Sequence, residues 1–470
     1  MTWGWVGVSF FTLMVGLAMA EIASAYPTSG GLYWWAARLS SPRYAPFASW
    51  MTGWFNLIGQ FAVTAGVDYG IALMLGATIS VATHGAWIPS TGATVGLHVL
   101  ICFTHGVANS LGPTVMRWIN SISTWWQVIA PTVLICTIAA TAPIHQSSAF
   151  VFTHYNNNTG WSSPAYVVLI GLLQAQFTFT GYDASAHMAE ETQNAAVSGP
   201  VGMIMAIVVS AIVGWGFIIG FLFCIQDLQT TIETTTNFPV MQIIVDCAGP
   251  TPAVVLMVIL MLACWFCGFA TVTSNSRMIY AFSRDGAMPG SRWWHLIDKK
   301  RQTPLNAVWL SVIVASLLGL LSVGNATAFS AITSIATIGS YLSYGMPIIT
   351  KLLNEKQFVR GPLHLGSFSS PIGWVALAWI LFITVLFVLP PKAPVTAINM
   401  NYTCVAVGAV LIGAGLGYAL YARHWFTGPR INLSSEDRSS VHQIERDSFP
   451  EIYPSDGIST AESDSKPYAD

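Results

Sequence analysis

Eleven long apolar stretches dominate this sequence of 470 residues. A helix needs about 20 consecutive apolar residues to cross the hydrocarbon core of a bilayer. Stretches of that kind occupy residues 3–24, 48–82, 93–111, 118–142, 165–186, 201–225, 253–282, 305–323, 328–352, 372–389 and 402–421. Only 8% of the residues are charged, too few for the surface of a water-soluble protein of this length. The sequence therefore predicts an all-α fold, a polytopic membrane bundle of about eleven transmembrane helices.

Basic residues between the stretches predict the orientation, because lysines and arginines beside a span are retained in the cytoplasm. Alternate loops carry nearly all of them: Arg38, Arg43, Arg117, Arg284, Arg292, Lys299, Lys300, Arg301, Lys351, Lys356, Arg360, Arg423 and Arg430. The opposite loops contain only Lys392. We therefore expect a cytoplasmic C-terminus and an external N-terminus. An external N-terminus without a leader indicates that an earlier helix is missing from this sequence.

Two regions differ in composition. Residues 1–430 contain all the apolar stretches, whereas residues 431–470 are polar and rich in serine and acidic residues. The first region is predicted to be the membrane domain and the second a disordered cytoplasmic tail. The formal net charge of −2 indicates neither a nucleic-acid partner nor an acidic ligand. The lipid bilayer and a small-molecule substrate are the expected partners, and the oligomeric state stays open.

Ionisable groups inside spans are functional candidates, because placing them in hydrocarbon is unfavourable. Glu21, Asp68 and Asp183 are such groups. Asn56 and Gln60 precede Asp68 in the same span, at spacings near three helical turns and two. Asp68 could contact a substrate amine or a coupling ion, or it could be a buried carboxylate satisfied by neighbouring hydroxyls and amides.

The run QAQFTFTGYDASAHMAEE, residues 174–191, is the most informative part of the sequence. Gly181 follows β-branched Thr178 and Thr180 in an otherwise apolar span, so the helix is easy to open there. Opening frees backbone N–H and C=O groups, which can bind the carboxylate and ammonium of a zwitterion. The break is therefore the predicted substrate site.

If the helix resumes after Gly181, then Asp183, His187 and Glu190 share one face at spacings i, i+4 and i+7. That face could relay protons, or it could close an inner gate by pairing with an arginine such as Arg284. A structural salt bridge that anchors the helix end is the alternative interpretation.

Two further pairs of candidate side chains are predicted to have packing roles. His98 and His105 are seven residues apart in one span, and Cys264 and Cys267 form a C-x-x-C inside an apolar run. Neither pair has a second set of ligands nearby in sequence, so we predict no metal and no cofactor. The sequence also shows no catalytic dyad and no phosphate-binding loop, so we do not expect an enzyme.

Five long motifs carry a family resemblance: YPTSGGLYWWAA (26–37), SWMTGWFN (49–56), TGYDASAHMAEET (180–192), VTSNSRMIYAFSRDGAMP (272–289) and HWFTGP (424–429). The chain resembles the amino acid/choline transporter branch of the amino acid-polyamine-organocation (APC) superfamily, and most of all plant bidirectional amino-acid transporters and GABA permeases. The resemblance runs from residue 1 to about residue 430. It implies a fold of twelve helices in a five-plus-five inverted repeat, with the first helix missing here.

The resemblance also implies roles for particular residues. Phe177 corresponds to an aromatic lid over the substrate, and Thr178, Thr180 and Gly181 correspond to the unwound segment. Asp183 corresponds to an acidic residue implicated in gating. Relatives that take protons on a lysine have it in the helix that matches residues 118–142, and this span has no lysine.

The expected function is secondary transport of amino acids, with GABA among the candidates, by alternating access. Choline or a polyamine is the alternative substrate, for which Asp68, Phe177 and Tyr182 would form an acidic and aromatic site. A truncated, non-transporting isoform is a third hypothesis. The plasma membrane is the expected location, with an organelle membrane as the alternative.

Overall fold

The computed structural model describes residues 1–236, 238–323, 328–396 and 399–429. These residues form helices joined by turns and loops, and their one β-type contact is an isolated bridge between Asp298 and Thr303. The predicted all-α fold class is confirmed. The predicted tail, residues 431–470, lies outside the described residues.

The described part of the chain contains eighteen α-helices. They are α1 (Thr2–Ala25), α2 (Gly31–Arg38), α3 (Ala45–Ala82), α4 (Thr91–Asn109), α5 (Pro113–Thr141), α6 (Ser148–Thr153), α7 (Pro164–Ile170), α8 (Leu172–Thr178), α9 (Ala184–His187), α10 (Ala195–Cys224), α11 (Leu228–Ile232), α12 (Pro239–Ala248), α13 (Pro250–Arg284), α14 (Ser291–Trp294), α15 (Leu305–Leu320), α16 (Ala328–Leu353), α17 (Ser369–Leu386) and α18 (Thr403–Leu420). Short 3₁₀ turns include Ala189–Glu191, which follows α9.

Nine of the helices in the described ranges are long and apolar enough to cross a membrane, with α15, α17 and α18 counted together with their adjoining 3₁₀ turns: α1, α3, α4, α5, α10, α13, α15, α17 and α18. The two other predicted spans are also helical. Helix α16 has 26 residues and is rich in serine, threonine and tyrosine, whereas residues 165–186 are divided among α7, α8 and α9. The chain is therefore an integral, multi-pass membrane protein.

Helix α3 forms the centre of the bundle. In its most apolar window 72% of the residues are buried, against 11% for the helix that contains α18. It packs against α2, α4, α13 and α16. Where it crosses α16 the two backbones touch, because a Cβ added to Gly59 would lie 2.7 Å from the backbone nitrogen of Ser340. Glycine at this crossing is what allows the close approach.

Helices α5, α10 and α18 form the periphery, since less than a fifth of each apolar window is buried. Their exposed side chains are apolar, as Trp125, Ile212 and Leu416 illustrate. In water such a surface would drive aggregation, but lipid tails accept it without cost. These helices therefore face the lipid.

Glu21 of α1 and Lys351 of α16 form a buried ion pair in this bundle. Lys351 Nζ also donates to Ser369 Oγ over 2.8 Å, and Ser369 Oγ donates to Glu21 Oε2 over 2.7 Å. The backbone N–H of Leu365 donates to Glu21 Oε1 over 3.1 Å. Because every polar atom finds a partner, the pair can join α1, α16 and the start of α17 inside the bundle.

We expect Lys351→Met to lower the free energy of unfolding by about 3–5 kcal/mol, because it leaves the Glu21 carboxylate buried without its cation. The measurement is the thermal unfolding midpoint of the detergent-solubilised protein. The double variant Glu21→Gln/Lys351→Met should lose less free energy of unfolding, because no uncompensated charge remains. Lys356→Met, at an exposed position five residues further on, is the matched control, and an equal loss in that control would contradict the expectation.

Candidate functional site

A break interrupts the helix at the predicted substrate site. Helix α8 ends at Thr178 and α9 begins at Ala184, so residues 179–183 are not helical. Gly181 has φ of +91°, in a region that residues with a Cβ rarely adopt. The break predicted at Gly181 is confirmed, and the conformational freedom of glycine permits it.

The break leaves backbone polar groups of both kinds without partners. Among the described residues, no hydrogen bond is made by the backbone N–H groups of Tyr182 and Asp183. The same holds for the backbone C=O groups of Thr178, Phe179 and Thr180. In a membrane protein such groups are tolerated where they line a cavity or meet a ligand.

A cavity of about 410 Å³ lies beside the break. Helices α3, α13 and α16 supply most of its other walls. Most of the lining is apolar; the polar side chains are Gln60, Thr178, Thr180, Asp183, Thr271, Ser274 and Ser340. Sites for small molecules measure roughly 300–1,000 Å³ and combine apolar walls with a few polar groups. The cavity therefore has the size and lining of a small-molecule site.

The structure brings five of the nine predicted site residues to this cavity. These five are Phe177, Thr178, Thr180, Gly181 and Asp183. The four that do not line it are Asp68, Tyr182, His187 and Glu190. Tyr182 packs within the bundle instead, with its ring centroid 5.1 Å from that of Tyr344.

Asp183 ties the break to the two helices that cross at the centre. Its Oδ1 accepts the hydroxyl of Tyr344 from α16 over 2.7 Å, and its Oδ2 accepts Nδ2 of Asn56 from α3 over 3.2 Å. The Tyr344 hydroxyl also accepts the N–H of Gly181 over 3.4 Å. The side chain of Asp183 is nearly fully buried, so these donors replace the water that the carboxylate has lost.

His187 extends this network towards α2. Its Nε2 lies 3.5 Å from Asp183 Oδ2, one helical turn back, and 3.0 Å from Nε2 of Gln60. Its Nδ1 lies 3.3 Å from the backbone oxygen of Ser29. His187 therefore connects the turn after the break to α3 and to the segment that precedes α2.

Glu190 does not share the face of Asp183 and His187. Helix α9 lasts a single turn after the break and is followed by the 3₁₀ turn Ala189–Glu191, so the expected common face is present only for the first two residues. Glu190 instead accepts a hydrogen bond from Ser29 Oγ and lies 3.5 Å from Arg284 Nη1. The expected pairing with Arg284 is therefore seen for Glu190 alone.

Asp68 points away from the cavity. Asn56 and Gln60 of the same helix reach towards Asp183, whereas the Asp68 carboxylate contacts Cys102 and His105 of α4. The reason is helical geometry: at 3.6 residues per turn, twelve residues place Asp68 about a third of a turn away from the direction of Asn56. Spacing near whole turns in the sequence does not place these side chains on one face.

Comparison with known proteins identifies the family of this chain. A family model described as amino acid permease matches residues 1–411. Amino-acid permease BAT1 of Arabidopsis thaliana is 44% identical over 451 residues, covering 93% of this chain and 87% of that protein. The chain belongs to the amino acid permease family. The resemblance inferred from the five motifs is confirmed.

Two further relatives show how widely this permease family extends. The BAT1 homolog of Oryza sativa is 44% identical over 448 residues, covering 92% of this chain and 86% of that protein. The GABA-specific permease of Saccharomyces cerevisiae is 30% identical over 453 residues, covering 93% of this chain and 78% of that protein. Similarity therefore extends over nearly the whole permease and across plants and fungi.

Sequence reasoning missed several residues of the permease site. Tyr344 holds both Asp183 and Gly181, and Phe238 and Phe329 add aromatic rings to the cavity. Arg277, which lies 3.1 Å from Glu191, was also missed. A signal for Tyr344 does exist: α16 carries many hydroxyl side chains for an apolar helix, and such side chains in a span indicate a polar interior face.

We expect Tyr344→Phe to loosen the break, because the Asp183 carboxylate and the Gly181 N–H lose a partner at a cost of about 1–3 kcal/mol. Hydrogen exchange of the backbone amides in residues 179–183 is the measurement, and it should become faster. Tyr33→Phe is the control, since the buried Tyr33 hydroxyl also donates to a carboxylate, Asp285 Oδ2 over 2.7 Å, and no contact joins it to residues 179–183 among the described residues. Equal acceleration in both variants would contradict a specific role for Tyr344.

Proposed function

We propose that this permease carries amino acids, with GABA among the candidates, across the bilayer by alternating access around the break at 179–183. The observation that carries the proposal is the set of unpartnered backbone groups beside the cavity. Carbonyl oxygens suit a substrate ammonium and N–H groups suit a substrate carboxylate, so one short segment offers both kinds of contact. Transport of this kind makes and breaks no covalent bond.

The side chains around the cavity complement the backbone of the break. Phe177 lies on the last turn of α8 beside the opening, and the absence of a side chain at Gly66 of α3 leaves room for it, since a Cβ there would lie 3.2 Å from Phe177 Cζ. We propose Phe177 as the apolar lid and Thr178 and Thr180 as further polar contacts. An aromatic cover excludes water, which strengthens the polar contacts beneath it.

An amino acid is a better candidate than choline. A choline site would use Asp68, Phe177 and Tyr182 together, and of these three only Phe177 lines the cavity. A quaternary ammonium also has no N–H groups to donate to the free carbonyl oxygens of the break. A zwitterion uses both kinds of backbone group, so the site favours it.

The network beyond the break suits an inner gate. Asp183 and His187 tie the break to α3 and α16, while Glu190 and Glu191 contact Arg284 and Arg277 of α13. We place this network on the cytoplasmic side, because the basic loops lie at that end, and we propose the plasma membrane as the location. Partly exposed ion pairs are weak, so they can break and reform during transport.

The direct test is uptake of labelled amino acids, GABA and choline into proteoliposomes that contain this permease. We expect counterflow exchange of at least one amino acid and none of choline. Phe177→Ala should raise the substrate concentration at half-maximal rate, because the lid is lost, and Phe177→Leu should restore part of the affinity. Phe368→Ala, at an exposed position away from the cavity, is the control. Uptake of choline alone would overturn the amino-acid assignment.

We expect Asp183→Asn to lower the maximal rate of exchange by a larger factor than it lowers the yield of folded protein. The asparagine NH₂ would face the donors of Asn56 and Gln60, so the ties that close the gate would be lost. The measurements are the maximal rate of exchange and the monodisperse yield in detergent. Glu355→Gln removes a carboxylate from an exposed turn and serves as the control. Unchanged turnover in Asp183→Asn would exclude the gate role.

A further inference from the structure

A second buried charged group lies behind the cavity wall. Asp68 Oδ1 of α3 and His105 Nδ1 of α4 are 3.0 Å apart, and neither side chain is exposed. Among the described residues neither of these two atoms makes a hydrogen bond, so their contact is a close approach of potential charges. The second carboxylate oxygen, Oδ2, accepts the S–H of Cys102 over 3.1 Å.

An ionised Asp68 carboxylate would need a positive charge beside it, and a proton on His105 can supply that charge. Within 4.0 Å the described residues offer Asp68 no basic side chain except His105. Three basic residues of other helices have carboxylates of their own: Lys351 pairs with Glu21, Arg277 with Glu191 and Arg284 with Glu190. A lone carboxylate is strongly disfavoured in this apolar setting. One proton, taken up by neutral His105, changes the net charge of the pair from −1 to zero.

The surroundings of His105 suit the protonated ring. Its Nδ1 faces the Asp68 carboxylate, and its Nε2 lies 3.0 Å from the backbone oxygen of Trp265 in α13. Only an imidazolium has a proton on both nitrogens, so only that form presents positive charge to the carboxylate while it also donates from Nε2. The other titratable groups that face the pair are Cys102 and His98 from α4 and Cys267 from α13.

Glycine on α13 creates the space for this pair. A Cβ added to Gly268 would lie 2.5 Å from Asp68 Oδ1 and 2.4 Å from His105 Cε1. Any other residue at 268 would therefore collide with both side chains. One residue away in each helix, Val67 of α3 and Cys267 of α13 line the cavity. The pair lies behind the cavity lining. It joins α3, which carries Asp68, to α13, whose Trp265 oxygen contacts His105, and both helices form walls of the cavity.

We propose that Asp68 and His105 form the binding site for a proton whose movement is coupled to that of the amino acid. This inference rests on the proposed transport function. With the proton bound, opposite charges hold α3 against α4 and α13; without it, that attraction is lost and the cavity walls can separate. Binding of the proton therefore changes how tightly α3 packs against α13, and these two helices also enclose the substrate.

The test is accumulation of an exchangeable amino acid in proteoliposomes, with the membrane potential clamped at zero and a gradient of about one pH unit applied in each direction. One proton coupled to each zwitterion supports up to roughly tenfold accumulation. An inward gradient drives accumulation if the two move together, and an outward gradient does so if they move in opposition. Counterflow without a pH gradient is measured in parallel.

Asp68→Asn/His105→Gln replaces the pair by two neutral amides, so no unpaired charge remains to unfold the protein. We expect this variant to keep counterflow and to lose accumulation. His98→Gln is the matched control on the same helix, also buried and bonded to a backbone oxygen, and it should accumulate normally. Wild-type counterflow without accumulation under either gradient overturns the proton site, as does accumulation by the double variant. Absence of wild-type counterflow for every amino acid overturns the transport function itself.

Discussion

The hydrocarbon core of a bilayer offers no hydrogen bonds, and the organisation of this permease follows from that constraint. Helices satisfy their own backbone groups, which is why the long apolar stretches of the described chain are mostly helical. At 179–183 the helix ends and resumes, and the bonds are not made. The Tyr344 hydroxyl supplies a partner for the Gly181 N–H, and Thr178, Thr180 and Asp183, which keep unpaired backbone groups, line a cavity. A gap in backbone bonding inside the membrane is therefore also the feature best suited to bind a zwitterion.

Two buried carboxylates near the centre are satisfied in different ways. Asp183 accepts hydrogen bonds from two neutral groups, the Tyr344 hydroxyl and the Asn56 amide, and His187 lies further away, with Nε2 3.5 Å from Oδ2. Asp68 has neither a phenol nor an amide donor and instead faces the His105 ring at 3.0 Å and the Cys102 thiol at 3.1 Å. The first arrangement suits holding the geometry of the break, and the second suits a movable proton. Both connect to α3, so the central helix contacts both sites.

Much of the fold follows from local composition, and the site follows only in part. The apolar stretches predicted the helices, and a glycine after two β-branched threonines predicted the break at Gly181. Phe177, Thr178, Thr180 and Asp183 were found because they are neighbours of that glycine in the chain. Tyr344 lies more than 150 residues away from the break in the sequence. No feature of the sequence near Tyr344 indicates which turn of α16 faces the break. Asp68 was grouped with Asn56 and Gln60 by spacing near whole turns, although about a third of a turn separates its direction from that of Asn56 and about a fifth from that of Gln60.

The sequence by itself determined that this protein spans a membrane many times, that its fifth apolar stretch opens at a glycine, and that it belongs with amino acid permeases. These properties depend on hydrophobicity, on the conformational freedom of one residue and on long motifs, all of which are local. The tertiary structure alone decided which donors reach Asp183, that Glu190 turns towards Arg284, and that Asp68 meets His105 behind a glycine. Such pairings depend on the rotation and crossing of whole helices, which the packing of all their side chains sets together.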